Sequence, residues 1–418
     1  MSKQGSYVLV SFVSFVILWA ADSRAQGIIF PSAGATHRSM AGASTAAPFD
    51  AAGSVYWNPA AMAALVDGEI FVGVDFVYGD TYLDSSVEST GQFGSNRSDS
   101  GLAAAPAFGL VSRPENSSYT YGLGIYGLVG RTIDFPASEF NPVLKPFDPP
   151  RSFGLGPVSS RMSGLQIAPV MSKDVSQTLS VGVGAQVTSM LLGLDPALFA
   201  ERNPGGLFPP ATQGRSYWGA GFQLGVLYRP GTPWSFGASY KSPQWFERFD
   251  YNSKDEKGNP RELSLELQLP WIVSLGAAYH GFEDTVLAVD VRYFDYANTK
   301  LFGTTPADDG LGWKSIWAIA VGAKRPISSL IDVQAGFSWN GNPIPDAATL
   351  FNIQLPAINE LAFSGGLTVA LTERVDIVGS VVYALRHTNR GTILEIPGTA
   401  IELGQDLATF SLGFAFRL

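Results

Sequence analysis

His37, His280 and His387 are the only imidazoles in the 418 residues, and cysteine is absent. Transition-metal centres draw on clustered His, Cys and carboxylate ligands. None of the three histidines has such a neighbour at helical or strand spacing. Nothing along the chain marks a Ser/His/Asp set, an arrangement defined by geometry and roles. Asp308-Asp309-Gly310 offers carboxylates to a cation, but reads more readily as a solvated turn. Gly122, Gly124, Gly127 and Gly130 are spaced like a phosphate-binding loop, yet no helix follows to aim its N-terminus at an anion. The residue inventory points away from an enzyme, a metal or a cofactor, and toward a conduit.

The composition fits a conduit in a membrane. Hydrophobic residues make up 46% of the chain, aromatics 12% and charged residues only 15%, against about 25% charged in ordinary soluble domains. The net charge of -9 argues against a nucleic-acid partner. One long apolar run exists, Tyr7 to Ala20, preceded by Lys3 and followed by Ser23-Arg24-Ala25. It is shorter than the ~20 residues of a spanning helix. It carries the three regions of a secretory signal, so residues 1–25 are expected to be removed on export.

The remaining chain must position whatever the conduit carries. Residues 26–67 are rich in Ala, Gly and Ser and lack two-residue periodicity. From residue 68 to 418 the pattern is strand, turn, strand, loop. In Leu263-Ser264-Leu265-Glu266-Leu267-Gln268-Leu269 every Leu falls on one face, and in the last strand Phe410, Leu412, Phe414, Phe416 and Leu418 do the same. Fourteen such segments can be counted, the first at 68–83, the third at 117–130 and the last at 404–418. Their connections alternate between short turns, such as Pro114-Glu115-Asn116, and long loops, such as 131–159 and 193–214. An even strand number with loop lengths segregated to opposite ends is the signature of an outer-membrane barrel. A soluble sandwich would show the same alternation without that segregation. Tyr78 and Tyr82, Tyr119 and Tyr121, Trp234, Trp245, Tyr293 and Tyr296, and Trp313 and Trp317 are expected at the two membrane interfaces.

The predicted fold is therefore all-β: a 14-stranded antiparallel transmembrane β-barrel, multi-pass in the bacterial outer membrane. A lumen this wide needs a plug, and residues 26–67 are the candidate hatch. Gly27-Ile28-Ile29-Phe30 is too apolar for a free tail, and Asn58-Pro59-Ala60 reads as an N-cap with Pro at the first helical position. Asp195-Pro196 is expected to begin a short helix that exposes Leu198 and Phe199 on an external loop. The glycines of the third strand, Gly122, Gly124 and Gly127 among them, would let it bend inward. The final strand, with Ser411, Gly413, Phe416 and Leu418, fits the signal read by the barrel assembly machinery and should pair with strand one.

The chain is similar to the FadL family of outer-membrane transporters for long-chain fatty acids and aromatic hydrocarbons. The resemblance runs through Arg38-Ser39-Met40-Ala41-Gly42-Ala43, the Asn58-Pro59-Ala60 motif, Phe236-Gly237-Ala238-Ser239-Tyr240-Lys241-Ser242, Leu269-Pro270, Gly312-Trp313-Lys314, and Val333 to Asn340 with Asn342-Pro343-Ile344-Pro345. It implies passive transport of a hydrophobic small molecule by a monomer: capture by external loops, an internal pocket closed by the hatch, and lateral release into outer-membrane lipid. It also implies that Lys314 contacts a ligand carboxylate, that Ile28, Ile29, Phe30, Leu198 and Phe199 meet the ligand, and that Arg38 serves the gate. The competing readings are a structural or adhesive barrel and a general porin.

Overall fold

The structure, a computed structural model, describes residues 27–65, 68–146, 154–212, 214–282, 284–394 and 396–418. The leader expected over residues 1–25 lies outside them. Fourteen antiparallel strands close into a barrel: β1 (Glu69–Val87), β2 (Gln92–Arg97 and Leu102–Ser112), β3 (Tyr119–Phe135), β4 (Val158–Asp174), β5 (Leu179–Asp195), β6 (Tyr217–Tyr228), β7 (Trp234–Lys241 and Gln244–Phe246), β8 (Gln268–Leu269 and Ile272–Phe282), β9 (Thr285–Phe294), β10 (Ile316–Pro326), β11 (Ile331–Asn340), β12 (Leu361–Thr372), β13 (Val375–Gly391) and β14 (Thr399–Arg417). Each strand matches one of the fourteen segments counted in the sequence. Closure runs from Glu69↔Arg417 to Val87↔Thr399 without a register break. Pro243 interrupts β7 and Pro270 interrupts β8, because proline cannot donate to the ladder.

Sidedness decides between barrel and sandwich. On β14, Phe410, Leu412, Phe414 and Phe416 are exposed on the outer wall, Phe410 to 51%, while Ser411 and Ala415 on the opposite face are buried. Apolar side chains point out and small or polar ones point in, the reverse of a water-soluble core. Tyr78, Tyr121, Trp234, Trp245 and Trp317 are likewise exposed on the wall. Trp234 lies 4.8 Å from Tyr279, and Tyr293 lies 5.0 Å from Trp317.

Three sequence expectations need correction. Tyr296 and Trp313 are buried and pack on each other at 5.0 Å beneath the outer loops, where they form part of the interior and not of a girdle. Leu263 and Leu265 lie outside the barrel wall. They belong to a two-stranded sheet, Phe249–Lys254 paired with Pro260–Leu265, and turn their apolar face onto the loop core. The alternation is real, but a hairpin lying on loops buries one face as well as a wall strand does. No helix begins at Asp195-Pro196: β5 continues to Asp195, and Ala197–Ala200 is a turn closed by Ala200 N–H donating to Ala197 O.

Candidate functional site

Residues 32–65 fill the lower lumen. Two short helices, α1 (Ala35–Ser39) and α2 (Ala51–Trp57), are followed by a 3₁₀ turn at Ala61–Ala64. Glycines of the facing wall strands let the segment lie flat against them. A Cβ at Gly182 would come within 2.5 Å of the Ala60 nitrogen, and one at Gly225 within 2.1 Å of Asn58 Oδ1. Asn58 closes the end of α2 instead of starting a helix. Its Oδ1 accepts from Ala60 N–H at 3.0 Å, and its Nδ2 donates to Thr45 O and Val226 O at 2.7 and 3.0 Å. Pro59 and Ala60 form the bend between α2 and the 3₁₀ turn.

Charge fastens this body to the wall. Arg38, 2% exposed, pairs with Asp75 of β1 at 2.7 Å. Asp290 of β9 accepts from Ser44 N–H, Thr45 N–H and Thr45 Oγ1–H at 2.8–2.9 Å. Arg292 donates to Gly42 O at 2.5 Å, and its guanidinium lies 4.0 Å from the centre of the Trp57 ring. Within the hatch, Asp50 caps α2 through Gly53 N–H at 2.8 Å and faces His37 Nδ1 at 3.2 Å. Burial pushes the Asp50 carboxyl up, but His37 and the Gly53 N–H outweigh it and hold the carboxyl below its usual range.

The first five described residues behave differently. Gly27 to Pro31 form a strap across the middle of the lumen. Ile28 N–H donates to the Tyr296 hydroxyl at 3.3 Å, Ile29 bridges Val129 in antiparallel fashion, and Phe30 N–H donates to Leu128 O at 2.9 Å. Tyr56 OH and Trp57 Nε1 hold the strap from below, donating to Phe30 O and Pro31 O at 2.6 and 2.8 Å. Above it opens a cavity lined by Ile28, Ile29, Phe30, Val77, Ala384 and Leu407, with Arg38, Arg131, Asn359 and Gln405 among its polar groups.

The wall beside this cavity is incomplete. β2 and β3 pair only from Ala107↔Tyr126 to Ser112↔Tyr121. Above that, Leu128 bulges from β3, and the β3–β4 register shifts between Gly127 and Val129. The strands meet again where Asp99 N–H donates to Asp134 O and Asp134 N–H to Ser98 Oγ, both at 2.8 Å. Between these two contacts lies a second space. Its lining includes inward-facing Ala103, Ala105 and Met162 and outward-facing Leu102, Ala104 and Leu165, so it passes through the wall. Phe30, Val77, Gly130, Arg131 and Thr132 line both spaces. The strap takes the place of β2 as the partner of β3 at Leu128 and Val129 and closes the window from inside.

The sequence-predicted residues fall into separate groups. Ile28, Ile29, Phe30 and Arg38 meet at the inner cavity. Leu198 lines a small pocket among the outer loops with Val143, Arg202, Phe208, Leu350 and Ile393, while Phe199 packs on Tyr251 at 6.4 Å. Lys314 is exposed and two residues short of β10 instead of inside it. It is not among the residues lining the inner cavity, and its N–H donates to Pro343 O at 2.8 Å. Of the strand-three glycines, Gly127 sits at the register shift. Gly122 and Gly124 lie in the paired lower half, where a Cβ would strike Met62 and Val55 of the hatch.

Sequence reasoning missed Arg131 and Leu128. Arg131 donates to Gln405 Oε1 at 2.5 Å, its Nε has no hydrogen-bond partner, and no carboxylate pairs with it among the described residues. A basic residue directly after Gly127-Leu128-Val129-Gly130 was the available signal. The histidines stay structural: His387 faces Glu360 at 3.3 Å, and Ser235 Oγ, 3.2 Å from His280 Nε2, donates to Ala46 O. No cluster of metal-ligating side chains occurs among the described residues.

Residues 15–395 match the family model described as Outer membrane protein transport protein (OMPP1/FadL/TodX). No curated protein matches the chain by sequence. Among solved structures, the P. putida toluene transporter TodX superposes with a TM-score of 0.68 at 15% identity, covering 93% of this chain and 99% of its own. A Pseudomonas aeruginosa FadL homologue gives 0.70 at 14%, with 94% and 99% covered. The Ralstonia pickettii toluene transporter TbuX gives 0.65 at 15%, with 93% and 99% covered. At these identities the superpositions speak for the fold.

Proposed function

The chain belongs to the OMPP1/FadL/TodX family of outer-membrane transport proteins, and from that premise we propose that it carries anion-headed amphiphiles, long-chain fatty acids foremost, into the outer leaflet through the window between β2 and β3. The observation that carries this reading is the shared lining of the inner cavity and the window. An open strand edge is not tolerated in hydrocarbon unless it lines a cavity, so the free edges of β2 and β3 suit a route that ligand fills.

Each part has a role in the proposal. The pocket around Leu198 captures ligand from outside. Ile28, Ile29 and Phe30 receive the chain in the inner cavity. Arg131, the cation there without a carboxylate partner among the described residues, takes the head group; charge-assisted hydrogen bonds of this kind are worth about 1.5–3 kcal/mol. Removing the strap from Leu128 and Val129 opens the window, and the chain slides sideways into lipid. The hatch body below, residues 32–64, stays in place and keeps water-soluble molecules from crossing. The domain plan that goes with this is a removed leader at 1–25, a hatch at 26–67 and a barrel at 68–418.

A neutral aromatic hydrocarbon is the second reading, favoured by the resemblance to TodX and TbuX, which are toluene transporters. Uptake of radiolabelled oleate and toluene by cells lacking other transporters of these compounds separates the two. The proposal requires oleate uptake above the empty-vector rate. A large steady current in planar bilayers without any ligand uptake would make the barrel a porin and sink it.

A further inference from the structure

We propose that Arg161, on the outer wall of β4, is a binding residue for release: it receives the anionic head of the departing amphiphile at the mouth of the window. This rests on the lateral route proposed above and adds the residue that selects anionic cargo at its exit.

Four observations converge on it. Arg161 lines the window together with Arg131, but on the opposite side of the wall. In the β3–β4 register Arg131 stands opposite Met162, which is buried, and Thr132 opposite Arg161, which is exposed. The two guanidinium groups therefore flank one opening, one within and one without. Arg161 makes no hydrogen bond and no ion pair among the described residues, whereas Arg113 and Arg417 each hold a carboxylate. The outer face around it is mixed: Ser163, Ser189 and Ser216 line the same mouth as Leu102, Ala104 and Leu165, so hydroxyls and apolar side chains both meet the departing molecule.

Height makes the arrangement chemically sensible. Met171 is the exposed apolar residue near the lower end of β4, ten residues from Arg161. At about 3.3 Å per residue and a tilt of about 40°, Arg161 stands about 25 Å above it, the height of a barrel's apolar band. That is the level of the outer-leaflet head groups. A fatty acid leaving with its chain in the acyl region must put its carboxylate there. Passing from Arg131 to Arg161, the head group would not cross hydrocarbon unpaired, a step that is costly for any charge. A neutral hydrocarbon gains nothing from either cation.

The test uses the full-length protein in proteoliposomes of phosphatidylcholine free of lipopolysaccharide, with Arg161→Gln and Arg161→Lys variants. Initial rates are followed for oleate and for neutral hexadecane, together with equilibrium binding of oleate to detergent-solubilised protein. The expected result is a threefold or greater fall in the oleate rate for Arg161→Gln, recovery in Arg161→Lys, an unchanged hexadecane rate and unchanged oleate affinity. An unchanged oleate rate, or an equal fall for hexadecane, overturns the proposal while the transport reading survives. An effect present only when lipopolysaccharide is added overturns it too and makes Arg161 a phosphate anchor. Wild-type protein that moves neither compound overturns both.

Discussion

Two seams of this barrel differ in a way that chain order does not suggest. β14 and β1, joined from opposite ends of the sequence, pair over nineteen residues without a break. β2 and β3 are sequence neighbours across a short turn, and they pair over six. The seam with the larger loop-closure cost is complete, and the local one is open. Incomplete pairing here is thus not a failure of closure; it is written into the two strands. β2 brings Ala103, Ala104, Ala105 and Pro106 to the edge, side chains too small to seal a gap and one residue with no N–H to offer. β3 brings the bulge at Leu128. The hatch respects the same division: Arg38 fastens its body to Asp75 on the complete seam, while the strap lies along the open one.

Erasing the difference should have the largest effect. Deleting Leu128 removes the residue that β4 cannot match and lets β3 run straight alongside β2. Uptake of oleate is expected to fall more than tenfold, while heat-modifiable mobility on gels shows a folded barrel. Undiminished uptake would mean that ligand leaves by another path. Breaking the complete seam's hold on the hatch comes next. Arg38→Met leaves Asp75 charged and unpaired, and loss of one partner of a buried ion pair costs about 3–5 kcal/mol. The expected outcome is rapid proteolysis within residues 32–64 and a leak current, both reduced in the Arg38→Met/Asp75→Leu double variant. Equal leak in single and double variants would remove the ion pair from the account.

How much of this was legible in the sequence follows from range. Alternation in β14 and the segregation of loop lengths are local, and they yielded the class, the strand number and the partner of β1. The hatch was legible as an absence of pattern. The window was half legible. Gly127 marks the bend, but Gly122 and Gly124 carry the same residue type for another reason, close packing of Met62 and Val55. Position in the lumen separates those two uses, and one-dimensional spacing does not. Arg131 acquires its meaning only from Gln405, 274 residues away.

The open seam can also be probed by charge. Arg131→Gln should weaken binding of laurate or oleate by about 10- to 100-fold, the range expected when a charge-assisted hydrogen bond worth about 1.5–3 kcal/mol is lost. Toluene binding should not change. The comparison is read by titration of purified protein with both ligands. Equal losses for both would show that Arg131 shapes the cavity and does not read the head group.

The smallest effect is expected at Lys314, where resemblance and geometry diverge. The motif Gly312-Trp313-Lys314 suggested a carboxylate contact, yet only Trp313 turns inward, donating from Nε1 to Asn352 Oδ1 at 2.6 Å. Lys314 stands exposed among the outer loops. A solvated ammonium interacts weakly with an anion and is screened within about 8 Å at physiological salt, but it can raise the rate of encounter. Lys314→Gln should therefore change oleate affinity less than twofold and lower the initial uptake rate modestly at low salt, with no difference above about 0.5 M. A tenfold loss of affinity would place Lys314 against the bound head group. In that case the loop carrying it must fold inward when ligand arrives, and the β2–β3 window would be one of two moving parts.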